Sequence, residues 1–233
     1  MKKIATGTLF MICICAYAYP QKIVFSQDVK SDTVRPTKGP NLKNYTHLYV
    51  GLGFPIFTNE DLNFIKPGSS MIVNYGFRYK RRLNNTFALG FDFSVNWAAY
   101  KIKQGSDKSI PDSTKHDKEK FQVNSLTPAF FARINVGRRG NKIGNYLDLG
   151  GYGSWNWKKA YKTSDKLDNN EIARITLARL SYMESLSYGL LARIGVNRYV
   201  ISARYRLSNL FKDSAGYAEL PRLSVGLEIG LFK

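Results

Sequence analysis

The chain has little sulfur or imidazole to work with. Its only cysteines, Cys13 and Cys15, fall in the first 15 residues, and its only histidines are His47 and His116. Zinc-type centres take cysteine and histidine at set ligand spacing, and nothing here shows it, so no metal site and no cofactor is expected. No window reaches 18 consecutive apolar residues and the mean hydropathy is −0.29, which excludes membrane-spanning helices. Acids are scarce too: 17 Asp and Glu stand against 35 Lys and Arg, a formal net charge of +18.

What is present starts with an export-type N-terminus. Lys2 and Lys3 precede an apolar stretch, Ile4 to Ala16, and Ala16-Tyr17-Ala18 puts small residues at the −3 and −1 positions of a signal-peptidase site. The stretch is too short to cross a bilayer as a helix. Residues 1–18 therefore read as a signal peptide. Lipid attachment at Cys13 or Cys15 is the alternative, but an isoleucine precedes each where a lipoprotein signal carries a small residue. Cleavage after Ala18 leaves an exported chain with no cysteine and hence no disulfide. Residues 19–45, with Pro20, Pro36 and Pro40 and little periodicity, read as a periplasmic leader segment ahead of a barrel at 46–233.

From His47 onward the apolar residues recur with period two. In the third of eight segments Phe87, Leu89, Phe91, Phe93, Val95 and Trp97 alternate against Ala88, Gly90, Asp92, Ser94, Asn96 and Ala98. The other segments centre on 47–54, 71–80, 126–136, 147–157, 186–194, 199–207 and 223–231. Pro128 lacks an N–H, which predicts a bulge or break there. Tyr75 facing Phe91 across a turn at Arg82–Asn84 would place Asn74 near Asp92. The stretch from Ile172 to Glu184 alternates poorly and gives no clear pairing.

The connections alternate as well. Those at 81–85, 137–144 and 197–198 are short, whereas 57–69, 103–120, 158–171 and 208–220 are long and polar. Short periplasmic turns facing long external loops are what an even-stranded outer-membrane barrel has. This predicts an all-β, closed antiparallel up-and-down transmembrane β-barrel of about eight strands, with both termini in the periplasm.

A soluble barrel alternates too, with its apolar face inward. The polar face separates the two. Here it is Gly, Ala, Ser and Asn dotted with single charges, Arg78, Asp92, Arg133, Asp148, Arg193, Arg204 and Glu228, rather than the Lys, Glu and Thr of a water-washed sheet. Small residues and isolated opposite charges suit a narrow lumen, where the seven would form a structural charge network. Aromatics gather at the strand ends: Tyr79, Phe87 and Tyr199 beside the short turns, and Phe54, Trp97, Trp155 and Trp157 beside the long loops. Two interfacial girdles have that distribution.

The basic excess is uneven. The short turns and their flanks hold Lys80, Arg81, Arg82, Arg138, Arg139, Lys142 and Arg198 with no acid, while the long loops hold 11 basic and 11 acidic residues. A basic periplasmic rim would touch anionic headgroups or, alternatively, dock an acidic partner. An exported barrel has no nucleic-acid partner, despite a pI near 9.9.

Candidate chemistry is thin. His116 is flanked by Asp112, Ser113, Thr114 and Asp117, the residue types of a loop hydrolase, but a flexible polar loop holds them by composition. Gly150-Gly151-Tyr152-Gly153 lies inside a strand with no helix after it, which removes a phosphate-loop reading.

Several segments resemble the small outer-membrane β-barrel proteins of Bacteroidota, the outer membrane protein beta-barrel domain family with its PorT-like members. They are Tyr146-Leu147-Asp148-Leu149-Gly150, the run from Tyr205 to Phe211, Leu223-Ser224-Val225-Gly226-Leu227 and Ser125-Leu126-Thr127-Pro128. The resemblance implies the barrel fold. Through the PorT-like proteins it implies an association with type IX secretion. The C-terminus resembles the aromatic-ended barrel-assembly signal, although Phe232 is penultimate and opposite in parity to Leu231, Ile229 and Leu227. The expected function is a non-enzymatic structural or accessory subunit of an envelope or secretion complex, surrounded by outer-membrane lipid and with a protein partner. A small-solute or anion channel and a loop-based hydrolase are the alternatives.

Overall fold

The computed structural model describes residues 39–56, 64–66, 68–105, 108, 110–111, 113–137, 142–167 and 169–232. The signal peptide and most of the leader predicted from sequence lie outside them. Nine strands are present among the described residues: β1 (Asn44–Ile56), β2 (Met71–Arg82), β3 (Phe87–Lys101), β4 (Lys118–Val136), β5 (Asn145–Lys166), β6 (Ile172–Ala178), β7 (Leu186–Val196), β8 (Tyr199–Arg206) and β9 (Leu223–Leu231).

Every pairing is antiparallel. β1 pairs with both β2 and β9, and β4 pairs with β5, so β1-β2-β3-β4-β5-β7-β8-β9 closes on itself as a ring of eight. Closure leaves no unpaired edge within the ring, which hydrocarbon demands of any sheet it surrounds. β6 stands outside the ring and pairs with β5 alone, over Ala160–Lys166. It is the upper part of one descending run, broken at 179–185, that resumes as β7 against Asn145–Trp155.

The stretch expected as a long loop at 158–171 is therefore mostly hairpin, with only 167–171 as its turn. Above the bilayer neither face of a strand is in lipid, so both faces carry polar residues and the period-two signal fades.

The faces sort as the sequence implies, and they are inverted relative to a water-soluble domain. Phe130, Leu227 and Leu186 on the outer wall are 65–70% exposed, whereas Arg78, Arg133 and Arg193 inside are 1% exposed. An apolar exterior around a buried charged interior is stable only when the exterior touches lipid.

One register expectation needs correction. In the second hairpin Tyr75 faces Val95, so Arg78, not Asn74, opposes Asp92, and Asn74 opposes Asn96. The turn is centred two residues later than the sequence suggested because Asn84 caps it, its Oδ1 accepting from the Thr86 and Phe87 N–H groups at 2.9 and 2.6 Å. On β4 the break expected at Pro128 is present, since pairing with β5 lapses at Thr127 and Pro128 without losing register, and a separate register shift lies at Asn124/Ser125. There β5 carries the extra residue Trp157, between Asn156 and Lys158. The bulge switches parity: Trp155 and Trp157 both face outward, while beyond it Tyr161 and Thr163 face in.

Candidate functional site

The lumen is filled in layers, and the inward-facing alternate residues of each strand supply them. At the turn end Phe232, two residues past the inward-facing Gly230, folds into the barrel mouth. Its ring meets His47 edge-on at 5.5 Å and Tyr45 at 6.2 Å, with Ile143 and Val200 packed beside them and the Arg198 guanidinium 5.6 Å from the ring centroid. The odd parity of Phe232 thus belongs to a plug rather than to the lipid wall.

Lys80 takes part in this plug. It occupies an inward position on β2, is 1% exposed and donates to the Pro40 carbonyl at 2.6 Å. The expectation that Lys80 belongs to an exposed basic rim is corrected: parity along the strand, not proximity to the turn, decides where its side chain goes. Arg82 is half-buried and donates to Asn41 Oδ1 at 3.0 Å, while Arg81, Lys142 and Arg198 are exposed. Arg138 and Arg139 lie outside the described residues.

Above the plug sits an ionic layer. Arg133 Nε and Nη2 reach the two Asp148 oxygens at 2.6 and 2.8 Å, with the guanidinium 3.5 Å from the Tyr146 ring centroid. Asp92 accepts from Tyr49, Arg78 and Arg193 at 2.6, 3.0 and 2.8 Å. Glu228 accepts from Arg78 at 2.6 Å, with Arg193 and Arg204 at 3.6 and 3.8 Å. The structure brings together Arg78, Asp92, Arg193, Arg204 and Glu228, and sets Arg133 with Asp148 as a separate pair. Four arginines face three carboxylates, so the layer carries one excess positive charge.

Next comes a layer of hydroxyls and amides around a cavity of about 80 Å³, room for a few waters. Asn96 donates to Thr127 Oγ1 at 2.7 Å, Ser154 lies 2.7 Å from the same hydroxyl, and Arg204 donates to Asn96 Oδ1 at 3.1 Å.

The loop end is capped by apolar side chains that the connections send inward. Ile65, Ile110, Leu180, Met183, Phe211 and Leu220 pack on Tyr100 and Phe121. Tyr182 stacks edge-on with Tyr217 at 5.4 Å, and burial followed by that neighbour pushes its hydroxyl up to about 12.

Two carboxylates tie the cap down. Glu119 accepts from Tyr161 and Gln104, each at 2.5 Å, and pairs with Lys108 at 2.8 Å. Glu219 accepts from Arg206 at 2.9 Å and from the N–H groups of Leu210, Phe211 and Leu220. The sequence placed both only among the charges of the long polar loops. Only Glu119 left a signal, since it shares parity with Phe121 and Val123.

His116 finds its acid far away in sequence. Its Nδ1 lies 2.7 Å from Asp165 Oδ2 on β5, and Asp165 Oδ1 accepts from the Asp117 N–H at 3.0 Å. The His116 hydrogen bond, then that N–H, hold the Asp165 carboxyl below its usual range. Of the flanking residues noted in sequence, Asp117 turns to the Lys166 N–H at 2.7 Å and Asp112 lies outside the described residues.

Comparison with known families agrees with the barrel, since the outer membrane protein beta-barrel domain model matches residues 25–230. The chain belongs to that family. Membership in the outer membrane protein beta-barrel domain family places it in the outer membrane. No curated protein matches it at a significant level.

Among solved structures it is similar to Ail, the attachment invasion locus protein of Yersinia pestis, in complex with the heparin analogue sucrose octasulfate: 12% identity, 81% of this chain and 96% of that one covered, TM-score 0.30. Ail determined without that ligand gives 13%, 81%, 95% and 0.29. Likeness at this level does not extend to what Ail binds.

Proposed function

We propose that this barrel is a non-conducting, non-enzymatic scaffold of the outer membrane, an accessory subunit in an envelope complex of the type IX secretion kind. Its short turns and termini would face the periplasm and its long connections the exterior. The observation that carries the reading is the filled lumen. Arg78 and Arg193 join Asp92 and Glu228 across the barrel at 2.6 to 3.6 Å, between a turn-end plug and an apolar cap. A solute path would have to break pairs whose charges are desolvated, at several kcal/mol each. What remains for function is the outer surface of the barrel and its two ends.

Planar-bilayer recording of the purified protein tests the closed lumen. A silent bilayer is expected, and steady conductance steps would establish a channel instead. Crosslinking in native membranes followed by affinity purification should recover a stoichiometric partner, and recovery of none would remove the accessory role. Orientation is read separately by Asn169→Cys in the β5–β6 turn, which a membrane-impermeant maleimide should label on intact cells.

A further inference from the structure

The 11 basic and 11 acidic residues of the long connections cancel in number, but among the described residues the outer face of the rising sheet carries one sign only. On the part of the sheet that rises past Trp97, Trp155 and Trp157, the carboxylates of Glu119 and Asp165 turn to the inner face and the cap. The outer face keeps the cations. Lys101 lies directly opposite Lys120, and Lys120 directly opposite Lys162, three lysines in one row across β3, β4 and β5. The next row brings Lys118, Ser164 and Arg174 together, and Lys158 stands one residue beyond Trp157. None of these cations makes an ion pair among the described residues.

Directly opposed side chains on neighbouring strands have Cβ atoms about 5 Å apart, where like charges destabilise the sheet. Two such contacts in one row call for an anion shared between the ammonium groups. The face also says which anion. It is continuous with the lipid-touching wall, and Lys101, four residues past Trp97, sits about 13 Å further along its strand at about 3.3 Å per residue. Aromatic girdles mark the headgroup level, so the lysine row stands where headgroup phosphates are.

We propose that Lys101, Lys120 and Lys162, flanked by Lys118, Lys158 and Arg174, form a binding ledge for the phosphates of an anionic glycolipid in the leaflet at the loop end. Its cellular meaning rests on the outward placement of the long connections proposed above. Its binding chemistry does not.

The test uses full-length protein in detergent micelles and diphosphoryl lipid A as the probe, with bound lipid counted by native mass spectrometry. A cation beside an anionic surface is worth about fivefold in affinity, so Lys101→Gln/Lys120→Gln/Lys162→Gln should bind roughly a hundredfold more weakly. The matching triple Lys→Arg variant should bind like wild type. Inorganic phosphate at equal concentration should displace nothing.

A second readout keeps the result independent of binding counts. Without lipid A the Gln variant should resist heat better than wild type, because repulsion is relieved, and with lipid A the order should reverse. Equal affinity of wild type and the Gln variant, or displacement by inorganic phosphate, would overturn the proposal. A failed Asn169→Cys labelling would count against the orientation alone.

Discussion

Arg133 on β4 and Asp148 on β5 face each other across the ladder and form a two-pronged ion pair, both members no more than 1% exposed. Removing one member leaves the other buried and unpaired. Asp148→Leu should therefore destabilise the barrel by about 3–5 kcal/mol, whereas Arg133→Leu/Asp148→Leu should recover most of that loss. Denaturant unfolding in lipid vesicles, followed by tryptophan fluorescence, measures both. A single variant as stable as wild type would mean that the pair is not desolvated.

Glycines on one strand separate two physical roles. A Cβ on Gly150 would lie 2.8 Å from the Phe131 Cα and 2.9 Å from the Phe130 carbonyl carbon, backbone that cannot yield, whereas a Cβ on Gly153 meets nothing within 4 Å. Gly150→Ala should cost about 1–3 kcal/mol, as overpacking does. Gly153→Ala should be neutral or slightly stabilising, since alanine loses less chain entropy in a strand. The same unfolding assay distinguishes them, and equal costs at the two positions would contradict the close β4–β5 approach.

The barrel was legible in the sequence because lipid imposes period two over the crossing part of every strand, and the inward charges announced themselves by parity. Legibility ended where that constraint ended. The β5–β6 hairpin rises past the tryptophans, so its alternation is mixed and it read as a loop. Asp165 could not be matched to His116, nor Glu219 to Arg206, because loop residues have no periodicity from which to infer contact. Lys80 was misplaced for the opposite reason: proximity to a turn was given more weight than parity, which sends its side chain inward.

The contact between His116 and Asp165 lies above the tryptophans and can be read by pH. Its folded carboxyl titrates below the ordinary value of 3.8, chiefly through the imidazole hydrogen bond. A depressed carboxylate stabilises the structure above its unfolded pKa, and the contribution is lost as pH falls through the lower, folded value. The Asp117 amide should therefore be protected, relative to exchange in an unfolded chain at the same pH, at neutral pH and lose that protection only below about pH 4, where an unperturbed aspartate would already be protonating. Asp165→Asn should lack that protection at every pH. A wild-type Asp117 amide equally unprotected at pH 4 and pH 7 would remove the contact.

The lipid-facing wall yields the prediction with the widest reach. Leu190 is outward, 55% exposed, and near the middle of β7, opposite Tyr205 and Gly151. If that wall touches hydrocarbon, Leu190→Arg places a cation near the bilayer midplane at a cost of about 2–4 kcal/mol. If the wall touched water, the same change would be a surface substitution worth less than about 0.5 kcal/mol, and it would raise solubility. The two readings thus differ in magnitude and in the sign of the solubility change. Folding of the variant into phosphatidylcholine vesicles should be visibly weakened, and wild-type protein without detergent should aggregate. A Leu190→Arg barrel as stable as wild type, together with a folded wild-type monomer in plain buffer, would invert the assignment of inside and outside.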